Sequence, residues 1–306
     1  MAYTLEILYS PAYELLLSLS LYKRQTHLKY LDVGTKWTQN VESMISSRLK
    51  ETLDTKENLY FKDLSVLLIS QCPEKENIDS FLQWLENLSA GQIYELLTPW
   101  LSENMVLPTD LKSQSLQYIN LMRKWNEEYF QKQENNLLKK LKLEANEKEK
   151  QLSGNISNTE IVHASSRFVI EADGVKRVYL CPTYHVNPIS LVDEFRDTLF
   201  ITYPYRKKNQ DADEIIKMAK ALGDDTRIRI LQLLSEGSYT FTNIMKKLGM
   251  AKGNIHHHLT TLRAAGLLNI HLTNDKKVFY YSTYKGFTNH FKYQIDQLLN
   301  SEYLKY

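Results

Sequence analysis

The sequence predicts an α+β protein, mostly α, with a helical N-terminal domain carrying a small antiparallel sheet (residues 1–205) and a C-terminal domain of short helices and a β-hairpin (206–306). Three observations predict it. A chain of 306 residues exceeds the usual size of one domain and can bury a sizeable core. Helical spacing of apolar residues dominates the first half, whereas alternation is confined to short stretches. Charge also divides the chain: residues 206–306 hold 16 Lys and Arg against 9 Asp and Glu, and residues 1–205 hold 22 against 27.

Element by element, "YTLEI" alternates as a strand through Ile7, and Ser10 followed by Pro11 reads as an N-cap with proline at the first helical position. Leu15, Leu16 and Leu19 continue that helix. Residues 38–98 read as several short helices punctuated by "CPEKEN" and "SAG", with Phe81, Trp84, Leu85 and Leu88 at helical spacing. From Leu111 to Leu152 no Gly or Pro occurs, and an apolar stripe through Leu116, Ile119, Met122, Tyr129, Leu137, Leu138 and Leu141 predicts one long helix. "RFVIEADGVKRVYLCP" then predicts a hairpin turning at Asp173 and Gly174, and "TLFITYP" a third strand. Cys181 and His185 are four apart, but a thiol nucleophile needs a histidine in reach and an oxyanion site, so this segment reads as a loop between strands. The two cysteines, Cys72 and Cys181, form no CxxC and read as free thiols.

The last hundred residues carry the functional signal. Residues 211–236 read as two helices split by "LGDDTR", the second capped by Asp224 or Asp225 and burying Ile228, Ile230, Leu231, Leu233 and Leu234. "SYTFTNIMKKLG" and "MAKGNIHHHLTTLRAAG" follow as a short helix closed by Gly249 and a longer one closed by Gly266, which is helix-turn-helix spacing. In the longer helix Ile255, Leu259 and Leu262 make the apolar stripe, with His258 packed and hydrogen-bonded beside it. Lys252, Asn254, His256, His257 and Thr260 fall on the opposite, polar surface, the side of a reading helix that enters the major groove. Thr240 and Thr242 at the start of the shorter helix join them as candidate DNA contacts. "LLNIHLTNDKKVFYYST" gives two strands around a tip bearing Lys276 and Lys277, suited to phosphates.

The run of three histidines does not suggest a metal site. Consecutive helical side chains are rotated by roughly 100°, and no Cys, Asp or Glu lies within one turn of them.

The motifs "L-G-D-x-T-R", "I-L-x-L-L" and "HHL-x-x-L-R-x-A-G-L-L" resemble those of the arsenic-repressor-like (ArsR-like) family of bacterial winged helix-turn-helix transcriptional regulators, over about residues 211–285. The preceding residues resemble more loosely the N-terminal region of longer, bacillus-type members. The resemblance implies double-stranded DNA as partner, a homodimer, and a C-terminal dimerisation helix bearing Phe287, Phe291, Ile295, Leu298 and Leu299 on one side. The family's metal sensors carry cysteines in the first helix of the motif or Asp, His and Glu sets in the C-terminal helix. "FTNIMKKLG" has no cysteine, and His290, Asp296 and Glu302 at spacings of six spread around a helix, so no metal ligands are assigned.

The expected function is thus a homodimeric regulator, a repressor, on a pseudo-palindromic operator, with protein interaction through the winged helix as the alternative. No G-x-S-x-G, phosphate loop, H-E-x-x-H or paired-carboxylate motif points to an enzyme, and no cofactor is implied. No apolar run of about 18 residues suggests a membrane span, and the N-terminus lacks the pattern of a secretory signal, which places the protein in the cytoplasm. Any effector, a small organic molecule or a peptide, is expected in the N-terminal domain. There Tyr13, Trp37, Tyr60, Phe61, Phe81, Trp84, Tyr94 and Trp100 either line a pocket or fill the core.

Overall fold

The computed structural model describes residues 3–25, 27–54, 60–101, 107–205, 211–275 and 278–300. Strand β1 (Thr4–Ile7) leads into helix α1 (Pro11–Arg24), followed by α2 (Trp37–Glu42), α3 (Ser47–Asp54), α4 (Tyr60–Gln71), α5 (Ile78–Asn87) and α6 (Ala90–Leu97). Helices α7 (Leu111–Glu128), α8 (Glu134–Leu152) and α9 (Asn158–Ser166) complete the helical part. Local chemistry sets several of these ends. Ser10 and Pro11 start α1 as expected, Asn77 accepts from the Ser80 amide to cap α5, and Ser89 with Gln92 forms a reciprocal capping box on α6.

The single long helix expected over 111–152 is two. The break at 129–133 needs no Gly or Pro, because Tyr129 and Phe130 are pulled into the core: Tyr129 accepts from Trp37 Nε1 at 2.8 Å and pairs with His185 Nε2 at 2.9 Å. Around them Trp125 donates to Ser18 Oγ at 2.9 Å and Tyr118 to Ser65 Oγ at 3.0 Å, so these buried aromatic rings keep their polar tips satisfied.

Strands β2 (Phe168–Ile170), β3 (Arg177–Thr183), β4 (Val192–Phe195) and β5 (Thr198–Pro204) do not form the expected hairpin. β3 lies between β1 and β5, parallel to both, and β4 closes the edge antiparallel to β5, so this sheet is mixed rather than antiparallel. The reason is burial on both faces: β3 is buried from Val178 through Thr183 and β5 from Thr198 through Tyr203, continuous runs of the kind parallel strands need. Asp173 and Gly174 instead turn the chain from one sheet to another.

The second sheet belongs to the C-terminal part, built from α10 (Asp211–Leu222), α11 (Asp225–Glu236), β6 (Tyr239–Thr240), α12 (Phe241–Leu248), α13 (Lys252–Ala264), β7 (Leu268–Leu272), β8 (Phe279–Thr283) and α14 (Phe287–Asn300). Its strand order is β2, β7, β8, β6, so a strand from before residue 205 pairs in parallel with the hairpin, Phe168 opposite Ile270. One apolar cluster runs from Leu5, Ile161 and Leu199 to Ile230, Ile255 and Leu262. The expected division between 205 and 206 falls beside residues 206–210, which lie outside the described residues.

Candidate nucleic-acid interface

The "LGDDTR" motif joins two helices through three bonds. Asp224 accepts from the Arg227 amide at 2.9 Å and so is the cap of α11. Arg227 reaches back, donating to the carbonyls of Ala221 at 2.6 Å and Lys220 at 2.8 Å at the end of α10, where orphan acceptors remain. Backbone hydrogen bonding to Arg227, helped by the Arg227 and His258 charges, holds the Asp224 carboxyl below its usual range. Ile230, Leu231 and Leu234 are buried on α11 as expected, but Ile228 is exposed.

Thr240 caps α12, accepting from the Asn243 amide at 3.1 Å. Gly249, at φ 64°, closes this helix in the left-handed region, where a side chain would be strained, and Gly266 does the same after α13 at φ 70°. Between them α13 buries Ile255, Leu259 and Leu262. Lys252, Asn254, His256 and His257 are exposed, as is Thr242 at the start of α12. Thr260 departs from expectation: it is 4 % exposed. Lys276 and Lys277 lie outside the described residues, but the ends of their hairpin are paired, with Leu268 opposite Thr283. His258 packs as expected, although its Nδ1 stands 3.7 Å from Asp224 Oδ1 and has no hydrogen bond.

Residues 224–269 match the family model described as bacterial regulatory protein, arsR family. The match covers the helix-turn-helix segment alone and likens that segment to DNA-binding regulators of the arsR family. Among solved structures the chain is similar to the homodimeric winged helix-turn-helix DNA-binding domain of a possible ArsR-family transcriptional regulator from Mycobacterium bovis (23 % identity, 33 % of this chain and 93 % of that chain, TM-score 0.24). It is also similar to NolR from Sinorhizobium fredii (20 %, 29 % and 87 %, TM-score 0.24) and to HlyU from Vibrio cholerae (17 %, 30 % and 98 %, TM-score 0.24). A comparison with curated proteins finds no match.

Part of the polar side of α13 is met from within the chain. His27 stacks on His256 with ring centroids 5.5 Å apart, and Tyr30 pairs its hydroxyl with His257 Nδ1 at 2.8 Å. Arg263, further along α13, donates to the Ser190 carbonyl at 3.1 Å, and Ala264 packs on the N-terminal core. Thr260 lies one turn from both His256 and Ala264 on this side, which accounts for its burial. The three histidine rings therefore meet three different neighbours: His27, Tyr30 and, for His258, Asp224. Residues 27–31, a 3₁₀ turn over Leu28–Tyr30 with its flanks, thus clamp the helix. Lys217 anchors the clamp from α10 through Asp32 Oδ1 at 2.5 Å. The hairpin is tethered too, as Asn274 accepts from the Asp173 amide and donates to its carboxylate.

Neither His27 nor Tyr30 was legible as part of the interface, because nothing local in "RQTHLKY" announces a contact more than two hundred residues away. The Cys181 and His185 pair is not a nucleophile and base. Both nitrogens of His185 are engaged, by Glu14 at 2.6 Å and Tyr129 at 2.9 Å, and burial pushes the Cys181 thiol up.

Burial, with His256 and Arg263 nearby, holds the His27 imidazole below its ordinary 6.5. His257 is also held low, chiefly by burial, with Lys29, His258 and Arg227 adding to it and Asp224 opposing. The clamped arrangement thus binds fewer protons than a released one. The clamp is indifferent to pH while both rings are neutral and weakens as pH falls through 6.5. Ring-proton titration by NMR should give midpoints below 6.5 for both residues, and Tyr30→Ala, which uncovers the His257 ring, should return His257 toward that value. A His257 midpoint unmoved by Tyr30→Ala would place the cause outside the clamp.

Proposed function

We propose that the protein is a homodimeric transcriptional repressor that reads a pseudo-palindromic operator through α13, and that the clamp of residues 27–31 keeps part of that helix from the DNA. The observation that carries this reading is the exposed polar start of α13, with Lys252, Asn254 and His257 beside an apolar stripe that anchors the helix in its own domain. Ala251 supplies no side-chain cap, and while the Asn254 amide is taken by the Ala251 carbonyl, the Lys252 and Gly253 amides at the helix start are placed to meet a phosphate. Occupying an operator asks only for DNA contact, which makes repression the simplest outcome.

Clamp and groove are incompatible on size. A helix with its side chains is about 10–12 Å across and the major groove about 12 Å wide, which leaves no room for a second segment stacked on His256. His27→Ala combined with Tyr30→Phe should therefore raise DNA affinity severalfold.

Base reading is assigned to Asn254 and His257. In the chain already carrying His27→Ala and Tyr30→Phe, so that the clamp is open throughout, alanine at both should weaken specific binding by about 1–3 kcal/mol for each base-edge hydrogen-bonding pair removed and leave random DNA nearly unaffected. Lys276→Ala with Lys277→Ala should weaken binding to every sequence and flatten the salt dependence. Filter binding of an operator fragment and random DNA at two salt concentrations measures both. An equal weakening on the two DNAs for the Asn254 and His257 pair would remove α13 from base reading.

A further inference from the structure

A cleft of about 370 Å³ opens beside the clamp. Its walls are mainly apolar, with Leu16, Leu17 and Leu21 from α1, Val66 from α4, and Val186 and Leu191 from the chain between β3 and β4. Tyr13 stands in the same wall, 2 % exposed, and its buried hydroxyl has no hydrogen-bond partner among the described residues. Another buried tyrosine, Tyr203, shares that lack but does not line this cleft. A polar group left unmet in the interior is destabilising, so an occupant that hydrogen-bonds to Tyr13 recovers part of that loss. The volume suits a molecule of one or two rings.

His27 and Leu31 belong to the same wall, beside the charged Arg24 and Asp193, and these two clamp residues make the cleft consequential. The residues that bound it are the ends of the clamp, whose middle, Tyr30, holds His257. Both His27 and the helix end before it sit in a left-handed conformation, His27 at φ 64° and Gln25 at φ 48°. That geometry is costly for residues other than glycine and persists only where surrounding contacts enforce it.

We propose that this cleft binds a small, largely apolar organic molecule bearing one hydrogen-bonding oxygen, and that its occupant holds the clamp closed on the recognition helix. The consequence for DNA rests on the function proposed above; the binding itself does not. A ligand touching His27 and Leu31 in these positions favours the arrangement in which they are so placed, and it shifts the population toward the clamped state by its differential affinity for the two. The ligand therefore lowers DNA affinity.

The probes are 1-naphthol and naphthalene, titrated into the full chain and followed by probe fluorescence. The unaltered chain should bind one equivalent of 1-naphthol in the micromolar range, and more tightly than naphthalene by about 5- to 10-fold, the worth of one net hydrogen bond. Tyr13→Phe should abolish that preference while leaving naphthalene binding in place. Ser20→Trp, which fills the cleft from a half-buried position on α1, should abolish binding of both probes with the circular dichroism spectrum unchanged. Non-saturable binding, or a preference that survives Tyr13→Phe, would overturn the site. In the DNA arm, 1-naphthol should weaken binding to genomic DNA fragments, and the Tyr30→Phe chain should respond less. Probe binding with unchanged DNA affinity would overturn the coupling to the clamp. A chain that binds the probe but no DNA would sink the proposed function and leave the cleft standing.

Discussion

Replacing Glu14 with alanine is expected to destabilise the fold by about 3–5 kcal/mol, because several buried hydrogen-bonding groups lose their partner at about 1–3 kcal/mol each. Glu14 is 1 % exposed and its carboxylate receives His185 Nδ1 at 2.6 Å, the His185 amide at 2.9 Å and the Tyr184 amide at 3.2 Å. It is the point where α1 holds the loop leaving β3, and His185 passes the constraint on to Tyr129 and from there to Trp37. Alanine would strand the imidazole and two backbone donors in the interior, whereas Glu14→Gln keeps an acceptor and should cost less. Denaturant unfolding reads the difference as a shift of midpoint. A loss below about 1 kcal/mol for Glu14→Ala would show that water reaches these donors.

Leu299→Arg is expected to yield a monomer at micromolar concentration and to reduce operator affinity by roughly 10²- to 10³-fold, the advantage that two linked half-sites have over one. Helix α14 divides its apolar residues. Phe287 and Phe291 pack within the chain, and Gln294 ties the helix to α10 through Glu214 at 2.7 Å. Tyr293 and Leu299 are 62 % and 69 % exposed, and Ile216 on the neighbouring α10 is 48 % exposed. Burying such a side chain against a second copy contributes about 1.5–3 kcal/mol, and two copies bury each of them twice. Half-site centres should then lie about one helical turn, or a multiple of it, apart. Sedimentation at micromolar concentration measures the first outcome. A monomeric parent chain binding operator one to one would end the dimer reading.

Features that depend on neighbours within one turn are legible in the sequence. Thr240 and Asp224 precede the helices they cap, Gly249 and Gly266 mark where α12 and α13 stop, and Ile255, Leu259 and Leu262 recur at the spacing that buries one face of α13. Those signals are enough to place a helix-turn-helix and its hairpin, and they require no knowledge of the rest of the chain. The tertiary structure alone decided which surfaces are already taken. The break at Tyr129 follows from a pocket shaped by Trp37 and His185, the strand after Arg167 left its expected hairpin because β7 offered a free edge, and Thr260 is buried on the side that His27, Tyr30 and Ser190 meet. A polar helix face carries the same pattern whether it meets water, DNA or another part of its own chain. The pattern records that the face is polar, and the occupant is chosen by contacts between residues distant in sequence.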